Sequence, residues 1–473
     1  MKGLEISEIL FTKLYSPLRI DAETYRPHYM EIEESVLAKP HTTLGQISKV
    51  LKKGIFDIKS STYQDSGVPF ARISNLKSMG ISTNDIIYIP EEENDKNLNT
   101  YLQKGDVVLS KTAYPAASIV QLENCNTSQD TVAIKLKNNS NIDSGYLVPF
   151  LNSKYGFNQM LRWFTGNIQM HLNLTDSKGI FVYQPSQCFQ KTISQVLWDS
   201  FSKRAEKEKK YQDAENLLLK SLEIDNFQPS QKSVNVKNFS ESFGISGRLD
   251  AEYYQVKYEK LVERIKSTYY DKLDNIVNTK KSIEPGSKNY SEEGSPFVRV
   301  SDYNKFGLST PDKYLTDEFC KENAELIKNL KPKKETILFS KDGSVGTAYM
   351  LKEDADFITS GAVLHLTVKN KSKIIPEYLT LALNSKLVQM QAERDAGGSI
   401  ILHWRVNQIE NVVIPLVNFD IQREITELVK ESFELKKKSE HLLEVAKKAV
   451  EIAIENDEKT AIEYIDNNTN RYA

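Results

Sequence analysis

Cysteine is scarce in this chain: Cys125, Cys188 and Cys320 are the only three in 473 residues. They are odd in number, far apart and without paired metal spacing. That points to reduced thiols in a cytoplasmic protein, not to a disulfide scaffold or a zinc site. Long apolar runs are missing too. No stretch approaches ~18 consecutive apolar residues, so no membrane span is expected. Glu5 and Glu8 fall where an export signal would need an unbroken apolar core. The 20 glycines include no Gly-x-Gly, and no Gly-Lys-Ser/Thr occurs. The chain therefore has no dinucleotide, S-adenosylmethionine or phosphate loop of the usual kind. None of the 15 prolines adjoins another, which excludes the Asn/Asp-Pro-Pro-aromatic motif that holds a flipped adenine in amino-methyltransferases. Charge of one sign is lacking as well. A formal net charge of -2 neither indicates nor excludes a polyanionic partner, because a local basic cleft can hide in a balanced total.

What is present is a long helix, and it is present twice. From Gln422 to about Glu455 there is no Gly or Pro and strong helix formers dominate. Apolar or small residues recur at spacings of three and four through Ile425, Leu428, Ser432, Leu435, Ser439, Leu442, Ala446, Ala449 and Ala453. This is the seam of a helix packing lengthwise on another. The segment 232 positions earlier, Gln190 to about Glu223, has the same character.

The rest of the chain repeats with it. Arg19-Ile-Asp-Ala-Glu-Thr-Tyr25 returns as Arg248-Leu-Asp-Ala-Glu-Tyr-Tyr254, and Gly67-Val-Pro-Phe-Ala-Arg-Ile-Ser-Asn75 as Gly294-Ser-Pro-Phe-Val-Arg-Val-Ser-Asp302. Leu109-Ser-Lys111 matches Phe339-Ser-Lys341, Leu151-Asn-Ser-Lys154 matches Leu383-Asn-Ser-Lys386, and His171 matches His403. The offset drifts only from 227 to 232, as expected from small loop insertions in a tandem duplication. A chain of this length has room for about two to four domains. Each copy predicts a short helix (Ala22–Leu37, Ala251–Lys266), then β-rich segments. In the first copy these are Pro69–Ile73, Asp85–Ile89, Asp106–Ser110, Ile119–Leu122 and Val132–Leu136. A helix around Tyr146–Trp163 follows, then a glycine-bearing loop, a short strand (Ile180–Tyr183, Val412–Ile414) and the long helix. The polar end after Glu455 is expected to fray. In the first long helix, Lys203, Lys207 and Lys210 interrupt one seam, and Arg204 breaks the seam through Leu197, Tyr211 and Leu218. A solvated middle between apolar ends is expected there; the sharper alternative has these lysines face phosphates or an acidic partner.

No catalytic constellation accompanies this framework. Gly343-Ser-Val-Gly346 is read as a β-turn, not as an RNA-clamping loop. His171 and His403 lack partner nucleophiles and read as hydrogen-bonding residues of the scaffold ahead of ligand contacts. What does recur is polar side chains at strand exits and loops. Arg72 and Arg299 have the chemistry to address guanine and Asn that to address adenine, but an Arg kept in both copies more simply serves the shared scaffold. Readers of a sequence belong where the copies diverge. The diverging stretches are Thr112–Ser118 against Asp342–Gly346 and Asn167–Asn173 against Ser399–Arg405. With the lysine at each strand exit added, the candidate DNA-binding residues are Lys111, Thr112, Asn167, Gln169, His171 and Asn173 in the first copy. In the second they are Lys341, Asp342, Ser344, Ser399, His403 and Arg405, with Arg72 and Arg299 as secondary candidates.

In order and in duplicate, these motifs resemble the DNA-specificity (S) subunit of type I restriction–modification systems. The resemblance rests on Gly67-x-Pro-Phe-x-Arg-Ile-Ser-Asn, Phe339-Ser-Lys-Asp-Gly-Ser-Val-Gly, Leu383-Asn-Ser-Lys, Gly397-Gly-Ser, Asn407-Gln-Ile-Glu-Asn-Val-Val-Ile-Pro-Leu and Gln422-Arg-Glu-Ile. It implies an α+β fold, a tandem duplication of a mixed α/β target-recognition domain followed by a long helix. The two long helices would pack as an antiparallel coiled coil with pseudo-two-fold symmetry. The implied division is a first target-recognition domain over 1–188, a spacer helix over 189–225 and a linker over 226–238. A second domain over 239–419, a second spacer helix over 420–456 and a polar tail over 457–473 complete it. A helix of ~33 residues spans ~50 Å, which suits a spacer. By the resemblance the chain is a non-catalytic reader of bipartite double-stranded DNA. It would dock two methyltransferase (M) subunits and be joined by restriction/translocase (R) subunits, with no membrane role. S-adenosylmethionine, ATP and Mg would reside on those partners, and this chain would bind no cofactor. The first copy departs from the family pattern in Thr112-Ala-Tyr-Pro-Ala-Ala-Ser and Thr175-Asp-Ser-Lys-Gly. The alternative, from another class, is a duplicated protein-binding assembly scaffold with helical arms and no DNA readout.

Overall fold

A computed structural model describes residues 6–14, 19–77, 79–165, 170–225, 227, 232, 234–398 and 400–469. The chain divides into two compact units, one formed by Met1–Ala205 with Lys436–Ala473, the other by Glu206–Leu435. Each long helix crosses this division, one between Ala205 and Glu206 and the other between Leu435 and Lys436.

In the first unit, residues Ala22–Tyr25 form a 3-10 turn and α1 runs over Pro27–Leu37. The helix expected from Ala22 starts at Pro27 because Pro fits the first helical position, where no N–H is needed. Four strands make the shared core sheet: β1 (Ser48–Lys53), β2 (Val107–Ser110), β3 (Ala117–Ile119) and β4 (Thr131–Leu136). Their order is β1-β4-β2-β3, extended by Gly80–Ile81 and Leu76–Lys77. The run Thr131–Ile134 is buried throughout, as expected of a strand covered on both faces. The predicted helix around Tyr146–Trp163 is two helices, α2 (Ser144–Asn152) and α3 (Lys154–Trp163). Ser153 breaks them with an extended backbone, its hydroxyl donating to Phe150 O at 2.7 Å. Strand β5 (Phe181–Tyr183) pairs with His41–Thr43.

The second unit repeats this plan. α4 spans Val256–Lys266, and the core sheet is β6 (Val277–Lys281), β7 (Ile337–Ser340), β8 (Ala348–Met350) and β9 (Val363–Val368), in the order β6-β9-β7-β8. The register repeats as well: Thr131 opposes Ser110, and Val363 opposes Ser340. α5 (Pro376–Asn384), α6 (Lys386–Asp395) and β10 (Val413–Pro415) follow. A smaller sheet in each unit is built on a parallel pair, Val68–Ala71 with Asn124–Thr127 and Ser295–Val298 with Ile358–Thr359.

Several motif residues that repeat in sequence make the same bonds twice. Asn152 donates to Ala117 O at 2.8 Å and accepts from Ala117 N at 3.3 Å; Asn384 does this for Ala348 at 2.8 and 3.0 Å. Gln159 pairs with both backbone groups of Phe181, and Gln391 with those of Val413. Gln190 accepts from Asp143 N at 2.8 Å and Gln422 from Ile375 N at 3.0 Å. Each fills a backbone hydrogen-bonding vacancy that would otherwise destabilise a buried edge.

The long helices cover Gln187–Ser221 and Phe419–Glu455. They pair antiparallel within each unit. In the first, Ser200 Oγ donates to Ser439 O at 3.0 Å; in the second, Ser432 Oγ donates to Lys207 O at 2.9 Å. Small residues at these crossings allow close backbone approach. Two expectations are corrected here. Lys207 does not sit in a solvated middle: it is only 6% exposed, 2.6 Å from Glu208 and with its ammonium 3.2 Å from the Phe306 ring centroid. Burial of the lysine stem with a charged partner and an aromatic face replaces hydration. Nor is the stretch after Glu455 frayed over its described residues. Glu458–Thr469 is a helix, started by Asp457 accepting from Thr460 N at 2.8 Å, and it buries Ala461 and Ile465 in the core of the first unit.

Candidate nucleic-acid interface

Part of the candidate set gathers at the exits of β2 and β7. A serine ends each strand and ties off the loop that follows. Ser110 Oγ accepts from Ala116 N at 2.7 Å and donates to Tyr114 O; Ser340 Oγ accepts from Thr347 N at 2.8 Å and donates to Ser344 O. In the second unit the loop turns through Gly343, at φ 72°. The first unit has Ala113 there, at φ 63°. The sequence departs from the family pattern, yet the backbone keeps the left-handed turn, at a strain of about 1 kcal/mol for a side-chain-bearing residue.

Behind each loop a second segment crosses and is bonded to it. Lys111 O accepts from Leu172 N at 2.8 Å, and Lys341 O accepts from Trp404 N at 2.7 Å. Thr112 is bridged to His171, and Asp342 to His403. The structure therefore brings Lys111, Thr112 and His171 together, and likewise Lys341, Asp342 and His403.

The chemistry presented differs between the units. Thr112 is 2% exposed. Burial holds the Lys111 ammonium below the usual lysine range, with Lys53 adding repulsion and Asp130 opposing. In the second unit Asp342 carries a charge at the place of Thr112. One carboxylate oxygen pairs with Lys341, and the other lies 2.8 Å from His403 Nδ1. The His403 side chain is 63% exposed, so its other face is open to a ligand. Ser344 and Arg405 are exposed beside this group. Asn173 instead spends its side chain on Asp176, at 3.3 Å, at the start of a short helix. Asn167, Gln169 and Ser399 lie outside the described residues.

Arg72 and Arg299 do not join either group. Arg72 donates to Asp85 O at 2.7 Å and its N–H to Asn75. Arg299 pairs with Asp312, and its N–H donates to Asp302 at 2.8 Å. Both brace their own turn.

Each unit also has a cleft that the sequence did not reveal. In the second it is about 650 Å³, lined by Arg248, Asp395, His403, Arg405 and Asn407. In the first it is about 510 Å³, with Arg19, Glu33, Asn173 and Asp176 on its walls. Arg19 and Arg248 come from the repeated Arg-x-Asp-Ala-Glu segment, whose recurrence was the one available signal. Next to the second cleft, Ile400, Ile401 and Leu402 are exposed at 95%, 55% and 41%. Among the described residues no helix is long and apolar enough to cross a membrane, and no group of three His, Cys, Asp or Glu is placed to hold a metal.

Comparison with known proteins adds the following. Residues 270–445 match the family model described as the type I restriction modification DNA specificity domain. No curated protein matches the chain. Among solved structures, the type I restriction–modification system S subunit from M. genitalium aligns at 16% identity with a TM-score of 0.37, over 90% of this chain and 95% of that one. The HsdS subunit from Thermoanaerobacter tengcongensis aligns at 14% identity with a TM-score of 0.28, over 88% and 97%. The matched stretch begins at the β-strand Tyr270–Lys272 and ends inside the second long helix. Residues 270–445 thus match the type I restriction modification DNA specificity domain, and the chain's motifs resemble the specificity (S) subunit of type I restriction–modification systems.

Proposed function

We propose that this chain is the non-catalytic, sequence-specific DNA-recognition subunit of a type I restriction–modification complex. Each unit reads one half of a bipartite target. The long helices dock two methyltransferase subunits, and a restriction/translocase subunit completes the assembly. Methyl transfer and cleavage, with S-adenosylmethionine, ATP and Mg, belong to those partners.

The observation that carries this reading is the contrast between scaffold and loop. The two units repeat their clamping bonds residue for residue, through Asn152/Asn384, Gln159/Gln391 and Gln190/Gln422. They differ in the side chains set at the strand exits, Thr112 against Asp342 and Asn173 against Arg405. A duplicated frame with two different polar loops suits the reading of two different half-sites, since base edges are distinguished by donor and acceptor pattern. Lysines at the same exits suit phosphate contacts that position without specifying.

Methylome sequencing of cells carrying the chain with its methyltransferase partner tests this directly. Exchange of residues 270–415 for those of a relative should change one half of the methylated motif and leave the other half intact. An unchanged motif overturns the proposal.

A further inference from the structure

The helix repeat contains one substitution with a structural consequence. Gln190 and Gln422 make the same bonds, and Ser200 and Ser432 occupy matching crossings, so the helices correspond without insertion. Trp198 then corresponds to Lys430, and Phe201 to Phe433. In the first unit Trp198 packs on the core and meets Phe201 edge to face, with ring centroids 5.7 Å apart. Lys104 reaches to 6.0 Å from the indole ring.

In the second unit the indole is missing, and a cavity of about 250 Å³ opens beside Phe433. Tyr211 and Phe433 line it, with Leu351 and Leu381 among the apolar groups below. The counterpart of Lys104 is still there. Gly105 and Glu335 both take positive φ, at 92° and 66°, and donate to Val120 O and Leu351 O respectively, which sets Lys334 in the place of Lys104. Lys334 lines the cavity, together with Lys305, Lys352 and Lys430. Lys352 lies 4.4 Å from the Phe433 ring centroid and Lys305 4.3 Å from that of Tyr211. Two of these cations are already paired, Lys305 with Glu215 at 3.5 Å and Lys430 with Glu427 at 2.9 Å. Glu335 and Glu377 also line the wall, and Glu335 is paired with Lys371.

From this geometry we propose that the cavity of the second unit is a binding site for a small planar aromatic anion, whose ring occupies the volume that Trp198 fills in the first unit. The aromatic walls accept a flat ring by stacking or edge contact. Lys334 at the rim, which enters none of these ion pairs, selects a carboxylate, sulfonate or phosphate substituent. The volume sits below the ~300–1,000 Å³ of sites for drug-sized ligands, which restricts the body to one or two fused rings. This site is independent of the DNA-reading proposal and does not require it.

The probe is 2-naphthalenesulfonate, titrated into the full chain by calorimetry, with 2-naphthol as the neutral counterpart of the same ring system. Saturable binding of one equivalent is expected, with the sulfonate preferred. Lys430→Trp restores the first unit's indole and should weaken binding by about tenfold or more, with circular dichroism and melting confirming the fold. Lys334→Glu leaves the cavity open; it should weaken the sulfonate and spare the naphthol. The proposal is overturned by absence of saturable binding, by unchanged affinity in a folded Lys430→Trp chain, or by equal affinity for the two probes that Lys334→Glu leaves unaltered.

Discussion

Asp342 and His403, sixty-one positions apart, meet at 2.8 Å through Oδ1 and Nδ1. The same aspartate holds Lys341 with its other oxygen. At the matching place in the first unit, a buried Thr112 faces His171 across the same backbone bridge and offers no charge. One frame therefore sets a carboxylate beside Lys341 and His403 in one copy and a buried hydroxyl beside Lys111 and His171 in the other.

Under the proposed function, Asp342 orients His403 toward a base edge. Asp342→Ala should relax the preference at one position of one half-site by about 1–3 kcal/mol, the worth of a good base contact. The other half-site should not change. Selection from a random duplex pool by the assembled complex reads both halves at once.

Lys111 and Lys341 are expected to contact phosphate. Each Lys→Ala change should weaken binding similarly across sequences and flatten the dependence of log K on log salt by roughly 1. Binding isotherms at several salt concentrations measure that slope. A change confined to one sequence would assign the lysine to base readout instead.

His365 makes the second unit acid-sensitive. It is buried and bonded to Thr359 Oγ1 at 2.9 Å; burial, with Lys280 nearby, pushes its pKa down from 6.5 to about 4. The unfolded chain takes up the proton first as pH falls, so this contribution is full above pH ~6.5 and lost on the way down to about 4. The expected loss at pH 5 is about 2 kcal/mol for the second unit. The first unit has the aliphatic Ala133 at this point of its sheet. Urea denaturation at pH 7.5 and 5.0, for the parent chain and His365→Gln, should show this pH dependence in the parent and lose it in the variant.

Asn152 and Asn384 are clamps on β3 and β8. Replacing either with Ala leaves a backbone N–H and C=O without partners beside a buried alanine. Each variant should lose about 2 kcal/mol, in its own unit only. Denaturant midpoints of the separate transitions report which unit is affected.

The terminal helix contributes to the first core. Ile465 is 3% exposed, and Ile465→Ala should destabilise the first unit by about 2–4 kcal/mol. A frayed tail predicts no change in the melting temperature.

The clamps show why so much of the fold was legible. The motif residues Asn152 and Gln190 recur in the second copy because each meets a backbone demand that the duplicated frame poses twice. Recurrence in sequence is visible without coordinates. The candidate site was legible only as a region, since divergence marks where function differs but not which side chain faces out. Arg19 and Arg248 were visible only as part of a repeat, which does not tell a cleft wall from a scaffold residue, and both form pairs with the neighbouring Asp21 and Asp250.

Duplication, the long helices and the absence of enzyme motifs followed from the sequence alone, because periodicity and spacing are local properties of the chain. Burial of Lys207 was decided by Phe306, about a hundred residues away. Docking of Glu458–Thr469 onto the core was decided by a surface far away in sequence, where Ser186, just before the first long helix, donates its N–H to Glu458 at 2.9 Å. The pairing of Asp342 with His403, and the cavity left where Lys430 stands for Trp198, likewise depend on which distant groups share a volume. Hydrophobic and ionic contacts are set by proximity in space, and only the folded chain supplies that.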